Sequence, residues 1–226
     1  EAYIYNGTNN YIRAGFIKNA FTDDVSSYME RNGRFESEVT SLPFEGILPN
    51  GYATANRTGF DLALHFNLFD NLLGLTGLYT ALEEQEELVK GIGTTSFGRY
   101  GVGATVHLGS LLNYAPGIDL NGGFVQSDID LKAIHDFNNE IYSAGITLGI
   151  TKNNALLAGW QRMKSEGAYS GFNVDLIQQN FSVGVQSKIQ EAGRLTFSYT
   201  RVNAENAAGD DLVTLDIPAL SFTMDF

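Results

Sequence analysis

The chain has 226 residues and a formal net charge of −12, so it suits one domain and is a poor partner for nucleic acid, which needs Lys and Arg to displace counterions. It has no cysteine, which excludes a disulfide framework, a thiolate nucleophile and a cysteine zinc site. Gly (25), Phe (15) and Tyr (11) are abundant, Pro (4) is scarce, and no apolar run reaches about 18 residues. A membrane helix is therefore excluded, leaving a soluble β protein or a barrel that crosses with strands.

The elements are legible as period-two alternation, taken here in chain order. Glu1 is expected to follow a cleaved signal peptide. A first strand is expected at 11–18. Residues 19–58 form a long first outer loop, within which Arg34–Val39 alternates but is too polar on both faces for lipid. Were that hairpin to cross, the strand count would rise to about twelve.

In 59–69, Phe60, Leu62, Leu64, Phe66 and Leu68 share one face, with Asp61, Ala63, His65 and Asn67 on the other. Further strands are expected at 72–81, 98–109, 117–126, 140–151, 155–163, 178–188, 193–202 and 213–226, making about ten in one domain spanning 1–226. The polar face carries mostly Gly, Ser, Thr and Asn, which suits the inside of a narrow barrel. Short links near Asp70–Asn71, Ser110–Pro116, Lys152–Asn154 and Gln190–Gly193 alternate with longer ones at 83–97, 127–139, 164–177 and 203–212. That alternation orients every strand, with short turns at one membrane face and long loops at the other.

Once directions are assigned, the greasy-face residues nearest the long loops are Phe16, Phe60, Tyr79, Tyr100, Phe124, Tyr142, Trp160, Phe181 and Tyr199. Membrane barrels carry such a girdle because ring bodies favour hydrocarbon and polar tips reach water. A soluble sandwich has no reason to align aromatics at one end.

At the C-terminus Leu220, Phe222, Met224 and Phe226 alternate back from a terminal Phe. This resembles the C-terminal signal strand of bacterial outer-membrane β-barrel proteins. The resemblance implies an all-β, transmembrane, antiparallel up-and-down barrel with short periplasmic turns and long extracellular loops. It implies location in the outer membrane of a Gram-negative cell, lipopolysaccharide and other outer-membrane lipid as surroundings, and the barrel-assembly machinery as partner during insertion. Pro218 departs from the pattern, and a bulge is expected there because Leu215 and Ile217 fall on the opposite parity.

Arg13, Asp61, His65, Arg99, His107, Asp119, Lys188 and Arg194 are expected to face the lumen. They read either as a selective pore lining or as ion pairs filling a narrow barrel. His65 and His107 could form a metal pair but read better as satisfied interior histidines. Asp23–Asp24, Asp210–Asp211 and His135–Asp136 invite comparison with barrel proteases, yet long strand extensions to carry such a site are not evident. No enzyme activity, cofactor or metal is expected. The acidic loops, such as Glu83, Glu84, Glu86 and Glu87, read as divalent-cation ligands, as cation steering, or simply as solvated surface. The functional expectation is a small porin-like pore or structural surface barrel. The alternatives are an adhesin or ligand-binding barrel, and the anchor or subunit of a larger envelope assembly with a protein partner.

Overall fold

The structure, a computed structural model, describes residues 2–6, 10–18, 58–70, 72–85, 95–112, 116–131, 135–169, 172–189 and 193–224. They form one antiparallel sheet in strict sequence order. Its strands are β1 (Ala2–Asn6), β2 (Asn10–Lys18), β3 (Thr58–Leu68), β4 (Leu73–Gln85), β5 (Thr95–His107), β6 (Ile118–Leu131), β7 (His135–Gly149), β8 (Asn154–Tyr169), β9 (Phe172–Ile189), β10 (Gly193–Asn206) and β11 (Asp211–Met224). A single helical turn, α1 (Leu108–Leu111), follows β5. No described helix is long and apolar enough to cross a membrane. The first outer loop expected at 19–58, with its Arg34–Val39 hairpin, lies outside the described residues except for Thr58.

The ten expected strands correspond to β2–β11. Their ends at the short turns fall within two residues of expectation, while the opposite ends of β4–β10 run past it and those of β2, β3 and β11 stay within two residues of it. β8 continues to Tyr169 and β9 begins at Phe172, so the link expected at 164–177 is a two-residue tip. The link at 127–139 shrinks to 132–134, and that at 203–212 to 207–210. The physical reason is that the outward face of these extensions turns polar, as at Lys164, Glu166 and Asp175, so both parities carry polar residues. Alternation fades there although the backbone ladder continues. The expected long loops are thus mostly tall hairpins, and the expected lack of strand extensions is corrected.

β1 was also missed, since Ala2-Tyr3-Ile4-Tyr5 shows no polar face. It pairs with the lower half of β2, from Asn6↔Asn10 to Ala2↔Ala14. The bulge expected at Pro218 is corrected too. The β10–β11 register runs unbroken through Tyr199↔Pro218, and the shift sits between Ala204 and Glu205. β11 is an edge of the described sheet, where proline is best tolerated. Leu215 and Ile217 face Val202 and Thr200, so their parity marks a change in the inner face rather than a slip.

The turns have local causes. Phe69 (φ 54°) and Asp70 (φ 53°) take consecutive left-handed conformations between β3 and β4, and Leu72 N–H donates to Phe69 C=O at 3.0 Å to close the turn. At the β7–β8 turn, Thr151 Oγ1 accepts from the Asn153 and Asn154 backbone N–H groups at 3.2 and 3.1 Å. At the outer β10–β11 turn, Asn206 Oδ1 accepts from Asp210 N–H at 2.8 Å, and Gly209 supplies φ 84°. Gly149 is needed for a different reason. A Cβ there would lie 2.0 Å from the Pro116 carbonyl oxygen, beside the 2.9 Å bond from Gly149 N–H to Gly117 C=O. Relief requires backbone movement, so Gly149→Ala is expected to destabilise the barrel by roughly 1–3 kcal/mol, read as a lower urea midpoint for refolded protein in detergent.

Candidate functional site

The two faces of the sheet have exchanged the usual roles. Apolar side chains of β3–β10 point outward and stay exposed, including Val102 (60%), Phe197 (57%) and Val183 (56%). Polar side chains point inward and are buried, including Gln186 (0%), Thr196 (1%), Thr147 (2%) and Asn180 (4%). In water this would forfeit the hydrophobic driving force on every strand. Against hydrocarbon it is the favourable arrangement.

The aromatic residues lie on the outward face in register pairs. Phe16 faces Phe60, Tyr79 faces Tyr100, Phe124 faces Tyr142, and Trp160 faces Phe181. Each next pair sits two residues lower. Phe60 is level with Ala81 rather than Tyr79, Tyr100 with Gln126 rather than Phe124, Tyr142 with Arg162 rather than Trp160, and Phe181 with Arg201 rather than Tyr199. The girdle therefore descends one residue per strand along the register. With a rise of about 3.3 Å per residue and about 4.8 Å between strands, the row is level in a membrane when strands tilt by about 35°, within the range of closed barrels. The side chains of Phe16 and Phe60 lie outside the described residues; their places come from the backbone register. Ring contacts run within and between pairs, with Phe124–Tyr142 centroids at 4.9 Å inside one pair and Tyr100–Phe124 at 6.3 Å joining it to the next.

Of the expected lumen residues, the structure brings His107 and Asp119 together. They are cross-strand partners on β5 and β6, with Nδ1···Oδ1 at 2.7 Å and both side chains largely buried. Lys188 lies on the inner face with Arg194 as its cross-strand partner. The side chains of Arg13, Asp61, His65, Arg99 and Arg194 lie outside the described residues. By register, Arg13 falls in the row of Gly101, Met163 and Gln178, and Asp61 in the row of Arg99 and Ser165. Gly101, Met163, Gln178 and Ser165 are buried, so both rows belong to the inner face.

The wall of β7–β10 is packed mainly by neutral groups, a feature that a search for charges overlooks. Gln178 Nε2 donates to Asn180 Oδ1 at 3.1 Å, Gln186 Nε2 to Thr196 Oγ1 at 3.1 Å, and the Ser182 and Thr200 hydroxyls meet at 2.9 Å. Each neutral pair contributes about 1 kcal/mol without the desolvation cost of an ion pair. Their signal was present in the sequence as Gln, Asn, Ser and Thr repeating on one parity. Apolar side chains interrupt the wall at Met163 (6%) and Val202 (2%), level with Gln178 and Asn180 respectively.

Above the aromatic row the outward face is charged. Lys164 is bonded to Glu166, and that hydrogen bond, reinforced by the charges of Glu166, Asp175 and Glu140, holds its ammonium above the ordinary lysine range. Of the acidic pairs named earlier, Asp23–Asp24 and the side chains of His135 and Asp136 lie outside the described residues. Asp210 caps the outer β10–β11 turn through Asn206 Nδ2 at 3.0 Å. Among the described residues no cluster of His, Asp and Glu could hold a metal. Leu220 and Phe222 of the terminal strand face outward at 71% and 56% exposure; the side chain of Met224 and all of Phe226 lie outside the described residues.

No protein-family model and no curated protein matches the chain. Among solved structures it is similar to in-vitro folded OmpT, an outer membrane protein of Vibrio cholerae, at 11% identity and TM-score 0.52, covering 96% of this chain and 59% of that one. It is also similar to the loop L8 deletion mutant of that protein, at 12% identity and TM-score 0.51, covering 95% of this chain and 76% of the mutant. The chain thus spans less than two thirds of the length of intact OmpT. The likeness shows a shared fold, that of outer-membrane β-barrel proteins.

The outward face carries a direct test. Val185→Arg, in the middle of the β9 apolar row, is expected to cost about 2–4 kcal/mol in urea-monitored folding into lipid vesicles. Asn173→Arg, on the tall part of the same strand, is expected to change stability by less than about 0.5 kcal/mol.

Proposed function

We propose that this chain is an outer-membrane barrel that acts as a narrow, porin-like pore rather than as an enzyme. The observation that carries the reading is the exchange of faces: an apolar band outside, a hydrophilic wall inside, and an aromatic row whose descent matches strand tilt. Such a wall gives water a reason to occupy the lumen. Its dense packing along β7–β10 narrows the path. The His107–Asp119 pair, Lys188 and the inward positions of Arg13, Asp61 and Arg99 leave charge for the passage to sense. The side chains of Leu220, Phe222, Met224 and Phe226 serve insertion by the assembly machinery, and lipid and lipopolysaccharide surround the band.

One observation favours a second reading, a surface-binding barrel. β8 and β9 extend nine residues beyond Trp160 and Phe181, so an ordered hairpin stands clear of the bilayer and offers a surface to a partner. Conductance separates the two. Purified, refolded protein in planar bilayers is expected to give small, uniform steps that grow with salt. Silence across all salt concentrations removes the pore and leaves the binding barrel.

The closure of the wall is also part of this proposal. β1 and β11 run in the same direction, so closing through β1 would make a parallel seam. Closing β11 onto β2 in place of β1, which pairs with β2 at Asn10–Ala14, keeps every remaining neighbour antiparallel and the strand number even, as in bacterial barrels. Because the chain has no cysteine, the seam is open to engineered cross-links. Ala14→Cys combined with Leu220→Cys, Phe222→Cys or Met224→Cys is expected to give an intrachain disulfide in at least one pair. Cross-linking of those β11 positions only to cysteines at Tyr3 or Tyr5 would instead place β1 in the seam.

A further inference from the structure

Above the aromatic row the two faces of the sheet change character again. Asp128, Asn138, Glu166 and Asp175 form one register row across β6–β9. They share the parity of Phe124, Tyr142, Trp160 and Phe181, so this row is outward, and Asp128 and Glu166 are exposed. Each has a chain neighbour on the inward parity, and those neighbours make a row of their own. It runs from β4 to β9 through Leu82, Phe97, Ile129, Phe137, Gly167 and Val174, each the cross-strand partner of the next. Apart from the glycine, every member is apolar. The side chains of those apolar members lie outside the described residues; their places come from the backbone register. The parity is fixed by Ser165 on β8 and Gln178 on β9, which share it and are buried. Lower down, the same parity carries Gly103, Gly123, Ser143, Gly159 and Ser182. In the band the apolar parity is outward; on the tall hairpins it is inward.

The ladder decides what can reach that row. Phe97, Ile129, Phe137 and Gly167 are each paired on both sides, so neither lipid nor a second chain passes through the wall to the inward parity. A molecule meets the row only from within the lumen. Beneath it lies a polar row of Arg99, Ser127, Asn139 and Ser165, and beneath that the buried amides Gln161, Gln178 and Asn180. An apolar molecule gains by leaving water at the upper row, while a charged one would lose its hydration there. A barrel of about ten strands has room for one small ligand, and Gly167 puts no side chain between Phe137 and Val174.

We propose that the outer part of the lumen is a binding chamber for one small, uncharged, apolar molecule, held at the row of Phe97, Phe137 and Val174 above the polar floor. The inference rests on the closed barrel proposed above and names the class of solute that its outer mouth takes up. It does not require the lumen to conduct.

The chain has no cysteine, so single cysteines report on the chamber directly. Val174→Cys lies on the apolar row, and Asn173→Cys on the exposed outward face of the same strand. Each refolded full-length variant is reacted with a small water-soluble methanethiosulfonate, with and without naphthalene at saturation, which fixes the activity of naphthalene whatever the detergent absorbs. Naphthalene is expected to slow the reaction of Val174→Cys about fivefold or more, as occupancy of a site requires, and to leave Asn173→Cys unchanged. Sucrose in its place is expected to protect neither position. Adding Phe97→Asn and Phe137→Asn to Val174→Cys is expected to cut the protection to less than about twofold while heat-modifiable migration persists. A Val174→Cys that fails to react without naphthalene would overturn the proposal, because it gives the chamber to the chain's own residues. So would equal slowing at both positions, equal protection by sucrose, or indifference to the two Asn substitutions. Loss of heat-modifiable migration in the unaltered chain would overturn it at a different level, by removing the barrel itself.

Discussion

The whole arrangement depends on one constraint: hydrocarbon offers no partner to a backbone N–H or C=O. A strand can cross a bilayer only when both of its edges are paired, and only a continuous sheet of neighbours meets that demand. The strict order β1 to β11, with each strand hydrogen-bonded to those before and after it, is the simplest way to meet it. Side chains then follow from the backbone. Successive residues alternate across the sheet, so one parity meets lipid and the other meets the lumen.

The aromatic staircase ties this local rule to the shape of the molecule. No single strand contains the tilt. It emerges because aromatics chosen separately on nine strands share one membrane level, while the hydrogen-bond register offsets each strand from the next. Register, girdle and tilt therefore constrain one another. The inner wall is shaped by a different economy. Amide and hydroxyl groups on β9 and β10 bond one another without carrying charge into a confined space, and His107 with Asp119 supplies the one described ion pair of the inner face. The wall is polar enough to hold water and neutral enough to pack.

Much of this was legible in the sequence because lipid imposes a sharp two-residue period. Phe60 through Leu68 announced both a strand and its lipid side, and the turn ends of β4 to β10 were placed to within two residues. The outer ends were not, because Asn138, Glu140, Ser165 and Glu166 make both parities polar there and carry no alternation. β1 was hidden for the opposite reason, being apolar on both parities. Leu215 and Ile217 were misread as a bulge because an inner face was assumed to be polar throughout. Of the candidate site, His107 and Asp119 could be placed on one face by parity. Their pairing required the register, which no spacing within a single strand reveals. Gln186 and Thr196 were passed over because a search for chemistry favours charged residues, whereas the packing of this wall rests on neutral ones.

Under the proposed function, the tall hairpins change what the cell presents to its surroundings. From Trp160 to Tyr169 β8 climbs about 30 Å along its own direction, paired on both sides as far as Gly167 and with β9 alone beyond it. An antibody or phage arriving from outside would meet a stiff ribbon whose neighbouring residues come from distant parts of the chain. Such an epitope is conformational: it exists in the folded barrel and vanishes from the denatured polypeptide.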